Sequence, residues 1–259
     1  MTYFGFLARF LLIPLAVMAL LLWRDRERDF PANLRSLPGW GVVLLHVLIA
    51  LVYTTPWDNY LVATHVWWYD PNLVTGMTMG WVPIEEYTFF VLQTLLTGMW
   101  LLWLAPRLPR AMTWRPTPTM RWIPLAALGL IWLTVLGLLL TRVAPATYLS
   151  LILVWALPPI GLEVAFGGDI LWRYHRLVAA AILMPSLYLV VADTLAIAAG
   201  TWTISSQQTL GLHLPGGLTL EEALFFLVTN TLIGLGITLF LAEESRARLQ
   251  EFGNRHVSG

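Results

Sequence analysis

Two pairs of adjacent glutamates are the residues of this sequence best suited to chemistry. The pairs are Glu85-Glu86 and Glu221-Glu222. Two carboxyls close together in an apolar site cannot both ionise readily, because burial and mutual repulsion oppose the second charge. A protonated acid beside an ionised base is the arrangement that donates and removes protons. The pairs therefore predict acid–base catalysis by all four glutamates.

An aspartate and a tryptophan precede each glutamate pair at matched distances. Asp58 is followed nine residues later by Trp67, and Asp193 is followed nine residues later by Trp202. Because acidic residues are rare in this chain, we interpret the match as an internal repeat. Asp58 and Asp193 are expected to end helices and to orient or recharge the glutamates. Interfacial solvation or helix capping is the structural alternative for both.

Helical phase separates the two members of each pair. Polar residues follow the second glutamate on one helix face: Phe90, Gln93 and Thr94 follow Glu86, and Phe226, Thr229 and Asn230 follow Glu222. Polar residues in membrane helices usually face the bundle interior. The phase favours Glu86 and Glu222 as the inward-facing carboxyls, although a glutamate in a first helical turn also suits the helix dipole.

Aromatic side chains near the carboxyls are candidates for stabilising a cation by cation–π attraction. The candidate substrate-contacting residues are Trp67, Trp202, Phe89, Phe90, Phe225, Phe226 and Asn230. The tryptophans can equally be interfacial belt residues, and the phenylalanines plain packing.

The composition predicts an all-α polytopic membrane protein. Of the 259 residues, 58% are hydrophobic and 12% are charged, about half the charged fraction of a typical soluble domain. A spanning helix needs about 20 mostly apolar residues. Seven stretches qualify: Tyr3–Trp23, Gly39–Trp57, Val82–Leu104, Trp122–Thr141, Thr147–Phe166, Leu177–Gly200 and Thr219–Leu241.

Arginine placement predicts the orientation and the domain organisation. All fifteen basic residues are Arg, and thirteen lie after helices 1, 3 and 5 or in the C-terminal tail. The positive-inside rule then places the N-terminus outside and the C-terminus in the cytoplasm. Helix 4 is read as a linker that gives both three-helix repeats the same orientation. The predicted units are residues 1–105, 106–145, 146–245 and 246–259: first repeat, linker with helix 4, second repeat and tail.

Other polar residues carry weaker signals. His46 and His65 have no partners at metal-ligand spacing, so neither a metal nor a cofactor is predicted. Glu163 is expected to pair with a loop arginine such as Arg173. The segment 167–169 is expected to be a turn. Thr219 is a candidate cap for helix 7.

The repeated motif resembles the membrane-integral lycopene cyclase family. The matching residues are Pro83-Ile84-Glu85-Glu86 with Phe89-Phe90, and Glu221-Glu222 with Phe225-Phe226, Thr229 and Asn230. The sequence is similar to a fused form of the heterodimeric bacterial cyclases and to the cyclase half of fungal bifunctional enzymes. Leu218 stands where the second motif would have proline.

The resemblance implies a reaction and a substrate. The linear ψ-ends of lycopene in the bilayer would be closed to β-ionone rings without a cofactor or net redox change. An acid protonates C2, the C5=C6 bond attacks the cation, and a base removes a proton from C6. Association with membrane lipid and with other carotenoid enzymes is also expected.

Two alternatives remain at this point. Repeats and intramembrane carboxyls also fit a lipid or proton-coupled transporter. A related carotenoid hydratase would capture the same cation with water. A retinal photoreceptor is excluded because the chain has no lysine for a Schiff base, and there are no Asp-rich motifs for a prenyltransferase.

Overall fold

The protein is a bundle of seven long apolar helices, as the sequence predicts. The computed structural model describes residues 1–111 and 115–257. The seven spanning helices are α1 Tyr3–Arg24, α2 Gly39–Ala63, α3 Ile84–Leu104, α4 Thr119–Leu140, α5 Thr147–Arg173, α6 His175–Ala198 and α7 Leu220–Leu241, and α8 Glu243–Val257 follows them. The Arg255 side chain and residues 112–114 and 258–259, which belong to the predicted linker and tail, lie outside the described residues.

Four short strands lie at the end of the bundle where α3 and α7 begin. They are β1 Trp67–Tyr69, β2 Thr78–Met79, β3 Val82–Pro83 and β4 Trp202–Ile204. Strand β1 pairs antiparallel with β4, so that Tyr69 lies opposite Trp202. The loop after α2 and the loop after α6 therefore form one ribbon, which joins the two halves of the chain by backbone hydrogen bonds.

Helices α3 and α7 form the centre of the bundle. In the most apolar 18 residues of α3 and of α7, 67% and 72% of the window are buried inside the bundle. In α4 the corresponding share is only 6%. Helices α1 and α2 pack on α3, α5 and α6 pack on α7, and α3 and α7 pack on each other. Helix α4 packs along α5 and leaves its other faces exposed.

Two prolines inside helices, Pro14 and Pro159, are matched by tyrosine hydroxyls from the opposite half. Pro14 has no N–H to donate to the carbonyl of Phe10 four residues earlier, and the Tyr188 hydroxyl donates to that carbonyl at 3.0 Å. The second half repeats the arrangement, because the Tyr53 hydroxyl donates to the Trp155 carbonyl at 2.8 Å. A π-helical turn over Ala8–Leu12 accommodates the first of these bends.

The predicted end of helix 2 was wrong, and neither Asp58 nor Asp193 ends its helix. Helix α2 continues to Ala63 rather than ending at Trp57, so Asp58 lies inside the helix, five residues before its end. Asp193 lies five residues before the end of α6 at Ala198. Both aspartates are buried. Neither is a capping or interfacial residue, because each belongs to the helix interior and faces the core.

The end of α5 also differs from the prediction. The helix continues past Phe166 to Arg173 with a non-helical residue at Gly167, so segment 167–169 is a kink within a helix and not a turn. Asp169 is buried there and forms ion pairs with Arg121 and Arg248. These charges hold α4, α5 and α8 together at one end of the bundle.

Glu163 does not pair with Arg173. The Arg173 guanidinium forms its ion pair with Glu244 of α8. One carboxylate oxygen of Glu163 is buried without a hydrogen-bond partner among the described residues. The expected pairing fails because Glu163 lies about three helical turns before Arg173 and faces a cavity instead.

Candidate active site

The glutamate pairs occupy the first turns of α3 and α7, on the same side of the bundle. Pro83 precedes the first pair in an extended conformation. Thr219 caps the second helix, because its hydroxyl accepts from the Glu222 N–H at 3.4 Å. The predicted cap is confirmed, and it shows how α7 begins with Leu218 in place of proline.

The first glutamate of each pair holds a loop. Glu85 accepts the Thr75 N–H at 2.6 Å, and Glu221 accepts the Leu210 N–H at 2.7 Å. Both side chains are buried. The matched contacts fix the two loops that cover this end of the bundle, because each loop donates a backbone N–H to a buried carboxyl.

The second glutamate of each pair meets tyrosine hydroxyls. Glu86 accepts from Tyr3 at 2.5 Å and from Tyr69 at 2.9 Å. Glu222 accepts from Tyr148. Tyr3 and Tyr148 lie at the starts of α1 and α5, so each carboxyl is held by the first helix of its own half.

Tyr69, in the loop outside the spanning helices, remains a proton-bearing donor. Burial, and then the nearby Glu86 carboxyl, raise the pKa of Tyr69 well above its ordinary value of 10.0. A phenol in this environment keeps its proton throughout the physiological pH range. The hydrogen bond to Glu86 is therefore available wherever the protein is folded.

A small central cavity of about 40 Å³ lies between the two second glutamates. It contains eight of the predicted site residues, which are Glu86, Glu222, Asp193, Trp67, Trp202, Phe89, Phe225 and Phe226. The other five predicted residues, Glu85, Glu221, Asp58, Phe90 and Asn230, lie behind or beside these. Glu86 and Glu222 interact electrostatically across the cavity, and Asp193 interacts with both.

The aromatic residues of each half complete the site of the other half. Trp67 packs edge-on against Tyr148 with ring centroids 5.4 Å apart, and Trp202 packs against Tyr3 at 4.9 Å. Each tryptophan thus fixes the tyrosine that holds the opposite glutamate. The cavity is one site built jointly by both halves rather than two separate sites.

Asn230 does not line the central cavity, where a substrate contact was expected. Its amide oxygen accepts from Thr97 at 2.6 Å, and its amide nitrogen donates to Ser186 at 3.1 Å. These bonds join α3, α6 and α7 below the cavity. Phe90 likewise lies towards a second cavity rather than the central one.

Comparison with known proteins identifies the family. The lycopene beta-cyclase of Halobacterium salinarum strain R1 is 43% identical over 206 residues, covering 78% of this chain and 81% of the relative. This chain belongs to the lycopene cyclase family. The bifunctional lycopene cyclase/phytoene synthase of Phaeosphaeria nodorum is 39% identical over 238 residues, covering 88% of this chain and 39% of the relative. That of Podospora anserina is 37% identical over 201 residues, covering 75% and 34%.

No protein-family model and no solved structure matches the chain. The fold of this lycopene cyclase family member is therefore described from its own coordinates.

Three tyrosines of this lycopene cyclase family member were missed in the sequence. Tyr3, Tyr69 and Tyr148 all donate to the central glutamates. The sequence does contain a repeated pattern around Tyr3 and Tyr148. Each is preceded by threonine and followed eleven residues later by proline, which is Pro14 or Pro159. Tyr69 has no counterpart of this kind, since Ile204 stands at the matching distance from Trp202.

Proposed function

We propose that this protein is a lycopene β-cyclase that converts the linear ψ-ends of lycopene to β-ionone rings, towards β-carotene by way of γ-carotene. The observation that carries the proposal is the pair of buried carboxyls, Glu86 and Glu222, that meet across one aromatic-lined cavity. The name of the Halobacterium relative supports the substrate and the ring type.

The carboxyls of the cavity supply the acid and the base. The ion pairs of the described residues lie at the other end of the bundle and involve none of the cavity carboxyls. The three carboxyls that line the cavity, Glu86, Glu222 and Asp193, are buried and cannot all carry charge. A protonated carboxyl delivers its proton to C2 of a ψ-end, which leaves a tertiary cation at C1. The C5=C6 bond attacks C1, the cation moves to C5, and a carboxylate removes the proton from C6.

The hydrogen bonds favour Glu86 as the base and Glu222 as the acid. Glu86 accepts from two phenol hydroxyls and Glu222 accepts from one. Donors to a carboxylate stabilise its ionised form. The carboxyl with the second donor, Tyr69, is therefore the better proton acceptor, and Asp193 beside Glu222 is placed to return a proton to the acid.

The aromatic walls stabilise the cation and exclude water. Phe89, Phe225 and Phe226 line the cavity one turn below the glutamates, and Trp67 and Trp202 cover it. Ring faces attract a cation, and an enclosed cavity strengthens every electrostatic contact inside it. Glu85, Glu221 and Asp58 support this cavity from behind.

The reaction would be an isomerisation with no net redox change, because the proton gained at C2 balances the proton lost from C6. The enzyme would then belong to the intramolecular lyases and isomerases. The substrate would enter from the bilayer, with membrane lipid around the helices and other carotenoid enzymes as neighbours.

The two halves would be homologous repeats, residues 1–105 and 146–245. The matched contacts of the glutamates, tyrosines and prolines support this division. The N-terminus and the catalytic cavity would face the outside, and the arginine-rich end would face the cytoplasm.

The proposal is tested by expression in a bacterial host that accumulates lycopene, with pigments separated by chromatography. We expect γ-carotene and β-carotene from the wild-type chain. Glu86→Gln and Glu222→Gln should each abolish both products, because each removes one partner of the proton transfer. Glu27→Gln, an exposed residue between α1 and α2, is the matched control. Unchanged lycopene with wild-type protein in the membrane would overturn the proposal.

A further inference from the structure

A second cavity lies against the catalytic cavity, between α2, α3, α5 and α7. It measures about 220 Å³, its walls are mainly apolar, and the Phe225 ring lines both cavities. Trp57 stacks on Phe225 with centroids 5.7 Å apart, and Trp155 stacks on Trp57 at 4.6 Å. Phe225 and Trp155 both line the second cavity, so it offers aromatic contacts to a conjugated chain.

The second cavity is long and opens towards the bilayer. Ile49 and Tyr53, which line it, are 45% and 41% exposed on the lipid-facing side of the bundle. Phe225 and Phe240 both line it and lie fifteen residues apart on α7. Fifteen residues of helix rise about 22 Å, so the cavity runs from the level of Phe225, beside the catalytic cavity, deep into the membrane.

A corresponding cavity of about 330 Å³ lies between α1, α3 and α6. Tyr188 and Pro14 line it, as Tyr53 and Pro159 line the other, and Tyr188 and Tyr53 lie five residues before Asp193 and Asp58, respectively. None of its lining residues lines the catalytic cavity. Of the two lateral cavities, the one between α2, α3, α5 and α7 therefore shares a wall, Phe225, with the catalytic cavity, and the other does not.

The two lateral cavities also differ in side-chain size at matching positions far from the carboxyls. Trp100 lies fourteen residues after Glu86, and Gly236 lies fourteen residues after Glu222. The Trp100 indole donates to the Ala180 carbonyl at 3.0 Å and fills its side of the bundle. At Gly236 no side chain intrudes, and His46 and Glu163 approach the glycine instead.

We propose that the cavity between α2, α3, α5 and α7 binds the polyene chain of a linear carotenoid while one end lies beside Glu86 and Glu222, and that the cavity between α1, α3 and α6 does not. This proposal rests on the proposed function. One route to the carboxyls means that one end reacts at a time. A carotenoid with two reactive ends must leave and return reversed, so the monocyclic product is released between the two reactions.

The matched positions Ile49 and Met184 provide the test, because each lines one lateral cavity and is about half exposed. Ile49→Trp should lower the rate of cyclisation about tenfold or more. Met184→Trp, which places the same bulk in the other cavity, should leave the rate within about twofold. Equal losses, or a larger loss in Met184→Trp, would overturn the proposal.

A binding measurement separates this proposal from the proposed function. In the Glu86→Gln background, which is expected to bind without turnover, the lycopene that co-purifies in detergent is measured by absorbance. Adding Ile49→Trp should remove most of it, whereas adding Met184→Trp should not. If wild-type protein cyclises lycopene but both double variants retain it equally, the polyene site is wrong and the cyclase function stands. If wild-type protein does not cyclise lycopene, the function itself fails.

Discussion

Neighbouring glutamates in this protein have different surroundings, although the sequence presents them as equal pairs. Successive residues on an α-helix point about 100° apart, so one carboxyl of each pair reaches a loop and the other reaches the cavity. Glu85 binds the Thr75 N–H, while Glu86 binds two phenols. The loop contact is a positioning role, and the cavity contact is the one suited to proton transfer.

Substitutions at the first pair should separate these roles. Glu85→Gln keeps an oxygen that accepts the Thr75 N–H, so it should retain activity within about tenfold, whereas Glu86→Gln should lose about 100-fold or more. Glu85→Ala leaves that N–H without its acceptor and should lower the free energy of unfolding by about 1–3 kcal/mol. Carotene yield and thermal stability in detergent provide the two readouts. If the Glu85→Gln protein were stable but inactive, Glu85 would have to be counted as a catalytic residue.

The sequence predicted the glutamates of the cavity but not all of their partners. Helical phase was sufficient to favour Glu86 and Glu222, because the polar residues beyond them mark the inner face. Tyr69 lies in a loop, and its approach to Glu86 depends on the pairing of β1 with β4, which joins residues more than 130 positions apart. The pattern of residues close to Tyr69 in the sequence does not reveal a contact of this kind.

At the scale of the elements, each half supplies hydrogen bonds that the other half needs. Prolines bend α1 and α5 and leave carbonyls without their usual donor. Tyrosines from α6 and α2 reach those carbonyls. In a membrane core, where water is scarce, such replacements allow a proline inside a spanning helix.

Tyr188→Phe should therefore destabilise the bundle slightly without unfolding it. Interhelical hydrogen bonds in membrane proteins contribute about 0.6 kcal/mol on average, which corresponds to a fall in Tm of about 1–3 °C for a chain of this size. Thermal unfolding in detergent measures the change. Tyr60→Phe, at an exposed position on α2, should leave Tm unchanged, and an equal fall in both variants would contradict the argument.

The helix ends were harder to predict than the helices. Apolar runs located all seven spans, but charged and polar residues at the ends of the runs suggested boundaries that are too short. Asp58 and Asp169 both lie inside helices and are buried. Asp169 forms ion pairs with Arg121 and Arg248, which belong to other helices, so the pattern around Asp169 in the sequence does not reveal them.

At the scale of the molecule, α4 sets the orientation of the second half in the membrane and adds little to the buried core of the bundle. It packs along α5 and is largely exposed. Three helices alone would invert the following half, so a fourth span restores its orientation. This explains how two glutamate pairs far apart in sequence meet at one end of the bundle.

Exchange of α4 tests this role directly. Replacing residues 119–140 with an unrelated apolar helix of equal length should preserve most of the carotene yield. Deleting the same residues should abolish the yield, because the second half would insert upside down and its carboxyls would lie on the opposite side of the membrane. Retained activity after the deletion would contradict the proposed linker role.

The orientation can be measured because the chain contains no cysteine. Met77→Cys lies in an exposed loop near the catalytic cavity, and Glu27→Cys lies in the arginine-rich loop after α1. In intact cells a membrane-impermeant thiol reagent should label the first variant and not the second, because the positive-inside rule keeps the arginine loops in the cytoplasm. The reverse labelling would invert the proposed topology.

The ribbon formed by β1 and β4 also affects which product the reaction gives. A tertiary carbocation reacts with whatever nucleophile reaches it first: an internal double bond gives a ring, and a water molecule gives an alcohol. Trp67 and Trp202, which begin the two strands, both line the cavity that would hold this cation. Loosening the ribbon would therefore admit solvent to a reactive intermediate, and a cyclase would begin to behave as a hydratase with its acid and base unchanged.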